Sequence, residues 1–129
     1  MSAVVLDASA LLALLHDEPG ADNVAQVLTD ARMASVNYAE VVSHFIHNGM
    51  PEDQVEAMLR PLPIAIIAAD RALAMMAGGL RAVTASAGLS LGDRFCLALA
   101  RRDRLPALTA DRKWRDVAQA AGVTVSVIR

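Results

Sequence analysis

The chain has 129 residues, 55% of them hydrophobic, a mean hydropathy of +0.39 and a formal net charge of −2. That length suits one domain, taken as 1–129, and no apolar run approaches the ~18 residues of a membrane-spanning helix; the longest candidate, Leu62 to Ala69, is interrupted by Pro63. The acidic balance argues against a generic nucleic-acid binder, which is strongly basic, and the single cysteine, Cys96, cannot form an internal disulfide and fits a reducing cytoplasm.

The opening Met-Ser-Ala-Val-Val-Leu-Asp has no basic leader region, so no signal peptide is expected. Ala3 to Leu6 reads as a buried first strand. Ala8 to Leu15 reads as a helix, broken by Glu18-Pro19-Gly20. Asp22 to Ala31 is a second helix, and Met33 to Ser35 a short strand. Asn37 is a candidate N-cap for a helix to about Asn48, which Gly49-Met50-Pro51 stops. Glu52 to Arg60 is a further helix, with Pro51 just before its first turn. Ile64 to Ala68 is a third strand, and Asp70 opens a helix through Met76 towards Leu80. Ala85 to Leu91 reads as loop. Asp93 to Arg104 is a periodic helix, Pro106 to Thr109 a fourth strand, and Arg112 to Ala121 a helix stopped by Gly122. Thr124 to Ile128 is the last strand. Short apolar runs alternating with helices predict an α/β domain with a mainly parallel sheet.

Four acids stand where such a sheet collects ligands, beyond the carboxyl ends of its strands. Asp7 follows the first strand and Glu40 lies in the first turn of the helix after the second. Asp93 opens the helix after Gly88-Leu89-Ser90-Leu91-Gly92, and Asp111 follows the fourth strand. Each alone has a structural explanation as a helix cap or a partner of the helix dipole. Together they are costly: two carboxylates ~4 Å apart repel by about 4 kcal/mol at an effective dielectric of 20. Such a group either raises its pKa values or takes a cation. All-oxygen donors suit Mg²⁺ or Mn²⁺ over zinc, and such an ion serves phosphodiester hydrolysis by activating water and neutralising phosphate.

At these residues a family pattern emerges. Val5-Leu6-Asp7-Ala8-Ser9-Ala10-Leu11-Leu12-Ala13-Leu14-Leu15 resembles the opening of PIN-domain ribonucleases of the VapC toxin type. Asn37-Tyr38-Ala39-Glu40-Val41 resembles their second acidic motif, Gly88 to Ala100 the third, and Leu108-Thr109-Ala110-Asp111-Arg112-Lys113-Trp114 the fourth, in order along nearly the whole chain. The resemblance implies a three-layer α/β/α sandwich with a central parallel sheet. It implies a Mg²⁺- or Mn²⁺-dependent endoribonuclease that inhibits growth, opposed by a VapB-type antitoxin, and usually a homodimer. By motif match Asp7, Glu40, Asp93 and Asp111 are the catalytic, metal-holding acids. Ser9, Asn37 and Thr109 are supporting polar residues, and Asp116 is a further acid near the fourth motif.

Arg94 and Arg112 flank those acids and are the candidates for phosphate contact. Seven of the twelve basic residues fall between Arg94 and Arg115, and eleven of the twelve are arginine, the better bidentate phosphate ligand. His44 and His47, one helical turn apart, lack a third partner and read as surface or interface residues. Cys96 reads as a buried small hydrophobe, Met75-Met76 as core or dimer surface, and Trp114 as packing for the last helix or as a base-stacking residue. A phosphoacceptor receiver domain is disfavoured because Asp7 has no acidic neighbour and Lys113 stands before a helix. A haloacid-dehalogenase-like phosphatase is disfavoured because Asp7-Ala8-Ser9 lacks a second Asp. A housekeeping RNA-processing nuclease and a non-catalytic interaction module of the same fold remain the alternatives.

Overall fold

Five short strands, β1 (Val4–Leu6), β2 (Ala31–Ala34), β3 (Ala65–Ile67), β4 (Ala107–Thr109) and β5 (Val125–Val127), pair in the order β3-β2-β1-β4-β5, every pair parallel. The computed structural model describes residues 3–129; Met1 and Ser2, on which the expectation about a leader partly rests, lie outside the described residues.

Parallel strands need long crossovers, and helices supply them. These are α1 (Ala8–Leu15), α2 (Ala21–Val27), α3 (Ser35–His47), α4 (Glu52–Leu59), α5 (Arg71–Gly79), α6 (Arg81–Thr84), α7 (Leu91–Asp103) and α8 (Ala118–Ala121), with short 3-10 turns at Leu28–Asp30, Ala85–Ala87 and Arg112–Asp116. Alternation along each strand sends side chains to opposite faces. Val5, Ala34 and Ala107 join one core with Leu73 of α5, Phe95, Leu97 and Leu99 of α7, and Trp114. Val4, Leu6, Met33 and Leu108 join the other with Leu11 of α1, Val24 of α2, Val41 and Phe45 of α3, and Leu59 of α4. The result is the expected three-layer α/β/α sandwich. Among the described residues no single helix is long and apolar enough to cross a membrane.

Some boundaries differ from the sequence expectation, and tertiary pairing explains them. The second helix stops at Val27, because Ala31 is needed as the partner of Val4 in the sheet. The second strand accordingly begins at Ala31 and ends at Ala34. Helix α3 begins at Ser35 on Ala34, so Asn37 is not its cap but a buried residue of the first turn, and Glu40 moves to the second turn. Helix α7 starts at Leu91, not Asp93: the Ser90 hydroxyl accepts from the Asp93 N–H, and the Asp93 carboxylate accepts from the Ser90 N–H in return. This capping box satisfies two otherwise orphaned donors. Ala85 to Leu91, read as loop, contains the 3-10 turn and the first residue of α7. The helix expected over Arg112 to Ala121 is a 3-10 turn and then α8, divided at Val117.

Candidate active site

The chain runs outward from β1 to β2 and β3, then returns to the other side of β1 to add β4 and β5. That reversal opens a crevice between β1 and β4 at their carboxyl ends, where open α/β sheets bind ligands. Asp7 stands there, its N–H bonded to Leu108 O at 3.1 Å. It also caps α1: its Oδ1 accepts from the Ala10 N–H at 2.8 Å.

The rest of the Asp7 carboxylate is held from β4 and from the first turn of α1. Thr109, fully buried at the end of β4, donates its hydroxyl to Asp7 Oδ2 at 2.7 Å. Ser9 donates to the two oxygens at 2.8 and 2.9 Å. The orientation of both hydroxyls is set by backbone donors: Ala110 N–H donates to Ser9 Oγ at 2.9 Å, and Asp111 N–H to Thr109 Oγ1 at 3.1 Å. With one lone pair of each oxygen engaged by a backbone N–H, the hydroxyl protons are directed at Asp7. The carboxylate is thereby fixed in place although only 4% exposed.

Burial pushes the Asp7 carboxyl up to about 6, with Asp93 adding repulsion, against the lowering effect of Thr109, Ala10 and Ser9. Burial also raises Glu40, and Asp93 again adds to it, while Asn37 opposes. The Cys96 thiol, wholly buried beneath them, is raised by burial and then by Asp7, Asp93 and Glu40. Asp93 thus acts on both Asp7 and Glu40, and all three acids act on one buried thiol. Among the described residues no Lys or Arg forms an ion pair with Asp7, Glu40 or Asp93. Negative charge is gathered around a buried Asp7 without a protein cation, with Asp93 half-buried and Glu40 towards solvent, the situation in which a bound cation relieves the repulsion.

Asp111 sits differently. Its backbone belongs to the Thr109–Asp7 network, but its carboxylate turns outward, capping the 3-10 turn through the Lys113 N–H at 3.0 Å and lying 3.8 Å from Lys113 Nζ. Asp116 is exposed at the end of that turn. Among the described residues no three His, Cys, Asp or Glu side chains converge tightly enough to cage an ion by themselves. The donor set nevertheless fits Mg²⁺ or Mn²⁺, which keep several waters and bind through a few carboxylates plus substrate phosphate oxygens.

The supporting residues divide. Asn37 is 1% exposed; its Nδ2 donates to Glu40 Oε1 at 2.8 Å and to Gly92 O at 2.9 Å, joining α3 to the start of α7. Its Oδ1 is buried without a partner among the described residues. Arg112 is exposed and lines an open depression with Ser9, Pro19, Ala110, Asp111 and Arg129. Arg129 belongs to that mouth and had no signal in the sequence; only the fold brings the last strand beside the Asp111 turn. Arg94, the other phosphate candidate, points inward: it is 8% exposed, its Nε donates to Thr84 Oγ1 at 3.2 Å and an Nη to Leu89 O at 3.1 Å. It braces the loop before α7 with its guanidinium turned into the protein, a correction to the phosphate-contact expectation that follows from its position on the core side of the helix.

His44 pairs not with His47 but with His16, their Nε2 atoms 3.0 Å apart beside Phe45, so that the end of α1 is tied to α3. Trp114 is fully buried in the core, and its ring is unavailable for stacking on a base. Met75 is 79% exposed, whereas Met76 packs partly against the core.

Comparison with known proteins agrees with this geometry. The family model for the PIN domain matches residues 4–120. A search of curated proteins returns no significant match. Among solved structures, the chain is similar to DNA-bound VapBC from Salmonella typhimurium, with a TM-score of 0.75, 14% identity and 100% of each chain covered. It is similar to FitAcB from Neisseria gonorrhoeae, with a TM-score of 0.72, 20% identity and 97% of each chain covered. It is also similar to VapC20 of Mycobacterium tuberculosis, described as a sarcin-ricin loop cleaving toxin, with a TM-score of 0.71, 15% identity, and 95% of this chain and 97% of that one covered. At such identities the likeness is one of fold, and it agrees with the family match, which spans most of the sequence: the chain belongs to the PIN domain family.

Proposed function

We propose that this PIN domain is a divalent-metal-dependent endoribonuclease acting as the toxin of a toxin–antitoxin pair. The observation that carries the proposal is the carboxylate cluster at the β1–β4 crevice, without a basic partner among the described residues: Asp7 buried and clamped by Ser9 and Thr109, with Asp93 close enough to push the carboxyls of Asp7 and Glu40 further up. Asp7, Glu40 and Asp93 would hold the cation, Mg²⁺ or Mn²⁺, and Asp111 would join them by turning from Lys113. When bound, the cation supplies charge neutralisation and Lewis acidity at a phosphodiester.

The protein's own residues do the positioning. Ser9 and Thr109 aim the Asp7 carboxylate, and Asn37 holds that of Glu40. Arg112, on the rim beside Ser9 and Asp111, would take a flanking RNA phosphate, with Arg129 beside it. A local basic rim is compatible with a net charge of −2, because phosphate contacts need only local cations.

The toxin reading is supported by structural neighbours that are toxin–antitoxin complexes; a VapB-type antitoxin, a homodimer and a cytoplasmic location belong to the same proposal. Induced expression in a bacterial host tests it. Growth arrest with discrete RNA ends, absent with Asp93→Asn, is expected. Healthy growth with confirmed soluble protein would refute the toxin reading and favour a housekeeping nuclease or an interaction module.

A further inference from the structure

Gly92 is the second residue of α7 and is buried. It is not among the positive-φ glycines, so the backbone there does not require glycine, and alanine is the better helix former. The reason for glycine lies across the interface with α3. A Cβ built on Gly92 would lie 2.6 Å from Glu40 Oε1, 2.6 Å from Oε2 and 2.7 Å from Cδ. Near-equal distances to all three atoms mean that the carboxylate lies face-on against the glycine. Asn37, one turn before Glu40, closes the arrangement: the same Nδ2 donates to Glu40 Oε1 and to the carbonyl of Gly92 itself. The carboxylate is thus held between an amide and a bare Cα, next to Asp93.

We propose that Gly92 is a positioning residue: its missing side chain is the seat that, with Asn37, holds the Glu40 carboxylate in the acidic cluster. The inference rests on the reading of Glu40 as a cation-holding acid. A methyl group at position 92 would displace the carboxylate by about 0.8 Å to restore ordinary contact, and the displaced group would lose its bond from Asn37. Because the obstructed group is the end of a flexible side chain, it can swing aside, and the fold need not suffer.

The test uses Gly92→Ala, Glu40→Gln and the double variant, read by the melting temperature in EDTA, by Mn²⁺ affinity from the electron paramagnetic resonance of free Mn²⁺, and by RNA cleavage. Gly92→Ala is expected to melt at or above the wild-type temperature while losing roughly 10- to 100-fold in Mn²⁺ affinity or cleavage, the usual cost of disturbing a ligand's support. The double variant is expected to be no worse than Glu40→Gln, since both changes act through one carboxylate. Wild-type affinity and cleavage in Gly92→Ala beside a defective Glu40→Gln would overturn the inference alone, as would losses that multiply in the double variant. Wild-type behaviour of Glu40→Gln would overturn the underlying site reading and the inference with it.

Discussion

Asp7→Asn isolates the cost of burying a carboxylate at the sheet edge. Burial lifts the Asp7 carboxyl from 3.8 to about 6, roughly two units, and at 1.36 kcal/mol per unit that is about 3 kcal/mol. The sign follows from linkage: the unfolded carboxyl ionises first, so the penalty on the folded state is absent below pH 3.8, grows as pH rises towards 6 and is complete above it. Asparagine is never charged and keeps the shape. Its Oδ1 can still accept from Ala10, and its amide can donate to Ser9 or Thr109, whose hydroxyls retain free lone pairs. About 3 kcal/mol is therefore the ceiling of the gain at pH 8, worth roughly 10 °C in a domain of this size. The assay is a pair of thermal melts in EDTA, at pH 8 and at pH 4. The variant should be the more stable at pH 8, with most of its advantage gone at pH 4. Millimolar Mn²⁺ should then raise the wild type and leave the variant little changed, because only a competent site couples binding to folding. A variant less stable than wild type at pH 8 in EDTA would refute the argument that Asp7 is held under electrostatic strain.

Three further outcomes follow from the contacts. Arg94→Ala should destabilise by about 2 kcal/mol, since it removes the partner of the Leu89 carbonyl and one of the two bonds of the Thr84 hydroxyl, which keeps its bond to Leu80 O, whereas Arg112→Ala should leave the melting temperature within about 1 °C and raise the KM for RNA; the reverse pattern would mean that their roles are exchanged. Cys96 should resist a thiol reagent in the native state and react fully in denaturant, because it is buried and its thiolate is opposed by burial and by three acids; rapid native labelling would contradict this packing. Burial pushes Asp103 up, but Arg102 and Arg32 outweigh it and hold it below the usual carboxylate range. Its contribution should be present above pH 3.8 and lost as pH falls further; Asp103→Asn should cost about 1 kcal/mol at pH 7 and little at pH 2.5, and an equal loss at both would exclude an ionic origin.

What the sequence conveyed best was the placement of acids at strand ends. A carboxylate directly after Val-Val-Leu, another after Leu-Thr-Ala and a third after a glycine-bounded loop are local facts, and parallel topology gathers the residues they mark. What it conveyed poorly was direction. Asp111 has the right address, but its carboxylate is drawn to the Lys113 N–H by the 3-10 turn, a preference decided after the helix over Arg112 to Ala121 breaks at Val117. Arg94 is adjacent to Asp93 in sequence, yet one helical step of about 100° turns it into the core. Asn37 looked like a cap because asparagine favours caps; the strand pairing of Ala31 to Ala34 moves the helix start to Ser35 and leaves Asn37 inside, where it serves Glu40. Gly92 had a faint signal, a glycine inside a helix start with no turn to make, but the carboxylate it accommodates comes from 52 positions away.

The central claim, that these carboxylates make a metal-dependent RNA-cleaving site, is tested most directly by incubating purified protein with total bacterial RNA. The reactions should contain Mg²⁺, Mn²⁺ or excess EDTA, with Asp93→Asn alongside. The account predicts discrete fragments that require both the metal and Asp93. Equal cleavage in EDTA, or by Asp93→Asn protein, would contradict it.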